Sequence, residues 1–230
     1  MDKGFNSRRS IELALVLLVG FSQPVFNSVV IWLFRPPPTP DPVAEITYVR
    51  SILVELAPLA VLLYVLRQQN RGLSDIGFGF RWRDVSASIL LALAGIISFY
   101  VTRRGFILIF TYLTGEFPVD AYYVPPAAAT SPSRLLFAAF LCMNAIFDET
   151  LVRGLLITDV MALTNRAWVA FALSVGLQTT YHLYQGVISA LAVSTIFVIF
   201  SLYFMRSRRL LPLILAHFLI DLFTFFTFFL

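Results

Sequence analysis

The sequence predicts an all-α fold, a polytopic membrane bundle of about seven transmembrane helices (six to eight) with a polar cavity inside the membrane. Hydrophobic residues make up 59% of the 230-residue chain and charged residues 13%, whereas a soluble domain is about half apolar and a quarter charged. Apolar runs near 20 residues, the length that crosses a bilayer, recur along the chain. Two of these runs hold the two histidines and a third holds Asp148, Glu149 and Arg153. Ionisable groups cost a few kcal/mol each in lipid, so these three runs indicate a polar site.

The apolar runs predict the helices in chain order at 11–34, 51–66, 85–114, 134–163, 167–183, 187–205 and 210–229. The first run has no small-residue cleavage site, so we expect a retained helix and not a signal peptide. The third run contains Arg103, Arg104 and Gly105, and it predicts either one tilted helix or a helix with a shorter interfacial piece. The fourth run would be about 45 Å long as a helix, so we expect it to tilt, kink or leave the membrane.

The charge pattern predicts the orientation. Basic residues concentrate in the N-terminus, the 67–84 loop and the 206–209 loop, which the positive-inside rule places in the cytoplasm. The 35–50 and 115–133 loops are poorer in basic residues and are expected outside. The net charge of +4 therefore favours anchoring in a lipid bilayer, with no nucleic-acid partner. Arginine dominates over lysine, and we expect a bacterial inner-membrane protein with a cytoplasmic N-terminus.

The first candidate site is the string Asp148-Glu149-x-x-x-Arg153 in the fourth run. On a helix, Glu149 and Arg153 share a face in the order that favours an ion pair, while Asp148 points about 100° away. One carboxylate would then be neutralised while its neighbour faces a cavity as a general base. A helix–helix clamp without chemistry explains this motif equally well.

Both histidines of the chain lie in apolar runs. His217 and Asp221 are four residues apart and share a face of the last helix, where a simple interhelical hydrogen bond is the alternative interpretation. His182 is flanked by Tyr181 and Tyr184, which we interpret as interfacial anchors. Together with the acids, one histidine can help to activate a water, and the other can stabilise an oxyanion.

The same side chains suit a divalent metal such as zinc, with Glu149, His182 and His217 as candidate ligands. The common H-E-x-x-H pattern is absent from the sequence. A metal site and a carboxylate-activated water without a metal both stay open at this point.

The three motifs resemble those of the CPBP family of intramembrane proteases, the CAAX proteases and bacteriocin-processing or self-immunity proteins, which includes the CAAX prenyl endopeptidase. The family's E-E-x-x-x-R corresponds to 148–153, its second motif ends at His182, and its H-x-x-x-N or H-x-x-x-D corresponds to 217–221. The resemblance covers 134–230 well and the N-terminal half loosely. It implies peptide-bond hydrolysis inside the membrane, and it maps the usual catalytic glutamate onto Asp148.

We therefore expect an intramembrane endopeptidase, metallo- or glutamic-type, that acts on a membrane-associated peptide or protein. The residues expected to act are Asp148, Glu149, His182, His217 and Asp221, with Arg153 as structural support. Asp148 with His182 would activate a water, and Glu149 would pair with the arginine. His217 and Asp221 would polarise the scissile carbonyl and stabilise the oxyanion.

Two alternatives belong to other classes. A non-catalytic membrane scaffold or regulator of the same fold would also keep the motifs, and the aspartate at 148 is its main support. A small transporter would use the acids as a relay, although the sequence shows no internal repeat pair. In each case we expect one membrane domain, 1–230, with a core at 134–230 preceded by the N-terminal helices of 1–133.

Overall fold

The structure, a computed structural model, describes residues 3–34, 44–118 and 131–229, and within these ranges it consists of helices and turns without strands. The all-α prediction is confirmed. The main helices are α1 (Lys3–Phe34), α2 (Ala44–Gln68), α3 (Arg83–Thr114), α4 (Ser131–Asp148), α5 (Thr158–Thr164), α6 (Ala167–Tyr181), α7 (Val187–Ser207) and α8 (Leu211–Phe229). The predicted loops at 35–50 and 115–133 fall mostly outside the described residues, and 44–50 is helical instead.

Several helices have the length and composition of membrane spans. Five such segments are found among the described residues, at Asn6–Phe34, Ile46–Gln68, Arg83–Thr114, Arg134–Thr164 and Val187–Ser207, with a shorter apolar helix at Leu211–Thr227. The protein is thus an integral membrane protein with a polytopic helical bundle. The third predicted run is one continuous helix, α3, so the alternative with a separate interfacial piece is wrong.

The fourth predicted run is continuous but not uniform. Between α4 and α5, residues Glu149–Ile157 wind as a π-helix, and every one of them is buried. A π-helix is rare, occurs mostly as single-turn bulges inside α-helices, and is frequently found at functional sites. The wider turn begins at Glu149, directly after Asp148, so it changes the backbone at the carboxylate pair that the sequence singles out.

Helix α6 is short and ends at the second motif. Its 15 residues rise about 22 Å, less than the roughly 30 Å of the hydrocarbon core. A 3-10 turn at Leu183–Gln185 follows, and Gly186 has a φ of 87° before α7 begins. His182 therefore lies at the C-terminal end of α6, directly before this break.

The core surrounds the π-helical segment. Leu151, Leu155 and Ile157 have no exposed surface and belong to the main hydrophobic cluster of the bundle. Helix α1 approaches closely because it carries a glycine here: a Cβ at Gly20 would lie 2.9 Å from Cδ1 of Leu151. The motif-bearing segment is therefore held from several sides.

Two polar clusters join chain segments that are distant in sequence. Asp159 of α5 has a fully buried side chain that binds Nη2 of Arg9 at 2.7 Å and Nη1 of Arg71 at 2.9 Å. Asp84 of α3 accepts a hydrogen bond from Nε of Arg209 at 2.7 Å, just before α8. These clusters stabilise the arrangement of α1, α3, α5 and α8 around the site.

A tight turn lies next to the contact between Asp84 and Arg209. Gly77 has a φ of 96°, a left-handed conformation that a side chain rarely adopts. Its carbonyl oxygen accepts a hydrogen bond from the amide of Leu210 at 2.9 Å. The 72–84 loop thus docks on the turn between α7 and α8.

Candidate active site

The acid pair and the arginine of the first motif form a buried cluster. Asp148 is 1% exposed, and Glu149 and Arg153 have no exposed surface. Nη1 of Arg153 lies 3.4 Å from Oε1 of Glu149, and Nη2 donates to the carbonyl of Phe197 on α7 at 3.4 Å. The predicted ion pair is present, although a π-helix rather than an α-helix carries it.

His217 joins the third motif to the first. Its Nδ1 lies 2.9 Å from Oε1 of Glu149, and its Nε2 lies 3.6 Å from Oδ2 of Asp221. The imidazole therefore lies between two carboxylates from two helices. Each ring nitrogen thus faces a carboxylate oxygen.

Tyr181 reaches the first motif from the end of α6. Its hydroxyl donates a hydrogen bond to Oδ2 of Asp148. The interpretation of Tyr181 as an interfacial anchor is therefore wrong, because its polar atom is directed into the bundle. The sequence gives no signal for this contact, which joins residues 33 positions apart.

His182 lies beside this contact but is oriented by its own helix. Its Nδ1 donates to the carbonyl of Gln178 at 2.8 Å, which leaves the lone pair on Nε2 in the neutral ring. The ring centroid is 4.2 Å from that of Tyr181 and 4.9 Å from that of Phe197. The Tyr181 hydroxyl, and not the imidazole, bonds Asp148, so a water would have to join His182 to that acid.

Glu55 on α2 is an acid near the site that the sequence analysis missed. Its Oε1 accepts a hydrogen bond from Nδ2 of Asn144 at 3.2 Å, one turn before Asp148 on α4. A signal was present, since Glu55 is the only charged residue within the 51–66 run.

Several carboxylate oxygens of the site have no protein partner. Oδ1 of Asp148, Oε2 of Glu149 and Oε2 of Glu55 are buried without a hydrogen bond. Buried polar atoms are normally satisfied by protein or water. The arrangement therefore provides acceptor atoms that can bind a water or a substrate group inside the bundle.

The three candidate metal ligands are not equally placed. Glu149 and His217 are in contact, while Nδ1 of His182 is committed to a backbone carbonyl. Across 3–34, 44–118 and 131–229, no three His, Cys, Asp or Glu side chains form a group suited to a metal ion. The predicted set of Glu149, His182 and His217 does not form such a group among these residues.

The site and fold together define a class of protein: an integral membrane protein with an acid–histidine cluster buried among its helices. Residues 130–223 match the family model described as Rce1-like, type II CAAX prenyl endopeptidase Rce1-like. The resemblance seen in the motifs is thereby confirmed for this part of the chain, and it supports a CAAX-type intramembrane protease at the level of the family. Comparison with curated proteins and with solved structures gives no match.

Proposed function

We propose that this protein is an endopeptidase that hydrolyses a peptide bond of a membrane-associated peptide or protein, using a water activated by Asp148. The contact between Asp148 and Tyr181, next to the contact between Glu149 and His217, carries this proposal. These two contacts bring the acid pair together with residues of both other motifs. A lone structural clamp would need only the ion pair with Arg153.

Asp148 is the proposed general base. The Tyr181 hydroxyl occupies Oδ2, while Oδ1 is buried and unpaired, so one oxygen is oriented and the other is free to take a proton. His182 presents Nε2 as a second acceptor close to Tyr181. A water held between Asp148 and His182 would lose its proton to Oδ1, and its oxygen would attack the carbonyl carbon.

His217 is the proposed oxyanion stabiliser. The Nδ1–H group of His217 donates a hydrogen bond to Oε1 of Glu149. Oδ2 of Asp221 lies 3.6 Å from Nε2 of the same ring. A ring that is protonated on both nitrogens would place a positive charge beside the carbonyl oxygen on which negative charge develops. Glu149 and Arg153 support this geometry, since their buried pair fixes the oxygen that orients the imidazole.

The surroundings of the protein are proposed from its charge pattern. Basic residues in 67–84 and 206–209 support a cytoplasmic location for those loops and for the N-terminus. We place the protein in a bacterial inner membrane, with the lipid bilayer and a membrane-associated substrate as its partners. We also propose that 1–230 is one membrane domain in which 134–230 is the catalytic core.

The test compares the termini of membrane proteins by mass spectrometry in cells that express the wild type, Asp148→Asn or His182→Ala at equal levels. Glu116→Gln, at an exposed acid after α3, is the matched control and should behave as the wild type. A new terminus that both site variants lack supports the protease. Identical termini in all strains, together with a phenotype of the deletion, would refute it in favour of a non-catalytic scaffold.

A further inference from the structure

The N-terminal half of the chain, outside the matched region 130–223, supplies an acid to the site. Glu55 lies within the span Ile46–Gln68, where a charged residue costs a few kcal/mol unless it has a partner or a function. Helix α2 packs against α4. This packing brings Glu55 next to the turn of α4 that precedes the acid pair.

The contacts of Glu55 orient one oxygen and leave the other unpaired. Asn144 donates to Oε1 at 3.2 Å, whereas Oε2 is buried without a hydrogen bond. Asn144 lies four residues before Asp148 on the same helix, so this hydrogen bond places Glu55 about one helical turn from the proposed base. Asp148 shows the same pattern, with one hydrogen-bonded and one unpaired carboxylate oxygen.

The acids of the site differ in how their charge is balanced. Glu149 contacts Arg153 and His217, and Asp221 lies beside His217. Glu55 is hydrogen-bonded to the neutral amide of Asn144. A buried carboxyl group beside a neutral donor is better suited to carry and exchange a proton than one paired with a cation.

We propose that Glu55 is a catalytic acid that protonates the leaving amine, an inference that rests on the proposed function. Asp148 takes a proton from water, and the water oxygen bonds to the carbonyl carbon. When the C–N bond breaks, its electron pair stays on nitrogen, and the nitrogen takes the proton of the Glu55 carboxyl group. The products are a carboxylic acid and an amine, and transfer of the proton from Asp148 to Glu55 through water restores both groups.

The decisive variant is Glu55→Gln, which keeps an oxygen for Asn144 to bond but cannot donate an acidic proton. The substrate is a synthetic peptide that spans the cleavage site found in the comparison of termini. A second substrate replaces the scissile amide by an aryl ester, whose leaving group departs without a proton. General acid catalysis typically contributes about 100-fold or more, so we expect kcat for the amide to fall about 100-fold, with KM little changed.

The ester substrate distinguishes a loss of acid catalysis from a structural defect of the variant. We expect Glu55→Gln to cleave the aryl ester within about threefold of the wild type, and Glu55→Asp to recover part of the amide activity, since general acid catalysis needs a positioned proton donor. Equal losses on amide and ester, or wild-type cleavage of the amide, would overturn the role of Glu55 while the protease remained. If the wild type produces no terminus that Asp148→Asn lacks, the proposed function itself fails, and the acid role fails with it.

Discussion

Arg153 offers the sharpest test of how the site is held together. Its side chain has no exposed surface, and its guanidinium carbon lies 5.4 Å and 5.8 Å from the ring centroids of Phe197 and Phe200. Replacing it by methionine keeps an unbranched apolar side chain but removes the positive charge. Among the residues that the structure describes, His217 is then the partner that Glu149 keeps.

The expected cost follows from this geometry. Removing one partner of a buried ion pair typically costs about 3–5 kcal/mol. Both hydrogen bonds of Arg153 are long, at 3.4 Å, so we expect Arg153→Met to lose about 3 kcal/mol of unfolding free energy, the lower end of that range. The double variant with Glu149→Gln should be less destabilised than the single one, because the buried negative charge that Arg153 balances is removed together with the arginine.

The assay is equilibrium unfolding in mild detergent, followed by circular dichroism. Arg104→Met, at an exposed position of α3, is the matched control and should change the unfolding free energy by no more than about 0.5 kcal/mol. A loss below about 1 kcal/mol for Arg153→Met would contradict a stabilising role of the buried pair. A double variant that is less stable than the single one would refute it equally.

Three further predictions concern other contacts. Gly77→Ala should cost about 1–3 kcal/mol, because its φ is 96° and its Cβ would lie 2.8 Å from a buried ring; thermal unfolding should show this loss, and Gly79→Ala, with nothing within 4 Å, should show none. Asp159→Asn should lower the unfolding free energy by about 1–3 kcal/mol, since its buried carboxylate binds two arginines; unchanged stability in the same titration would contradict this. Tyr181→Phe should lower kcat on the synthetic peptide at least about 10-fold, as expected when a positioning hydrogen bond to Asp148 is lost; wild-type kcat would argue against that role.

Much of the fold could be predicted from the sequence, because a membrane limits the choices. Lipid provides no hydrogen-bond partners for the backbone, so a long apolar run that spans it alone must form a helix. The runs at 85–114 and 187–205 therefore predict α3 and α7 to within about two residues. Composition could not predict where α2 begins, since 44–50 mixes charged and apolar residues.

The site was predictable only where spacing along one helix determines it. Glu149 and Arg153 pair because four residues bring them to the same face, and His217 lies near Asp221 for the same reason. Contacts between different helices leave no comparable spacing pattern in the sequence. The bonds of Tyr181 to Asp148 and of Glu55 to Asn144 join positions 33 and 89 residues apart.

Apolar length and the cost of charge in lipid are local properties of the chain, so residue order alone predicts a helical membrane protein with acids and histidines inside its spans. Packing of the helices sets which carboxylate oxygens stay unpaired, which residue orients His217, and which helix of the N-terminal half reaches the site. Those outcomes depend on the rotation and depth of each helix against its neighbours. Packing against the other helices sets this rotation and depth, and neither can be predicted from the order of residues along a single helix.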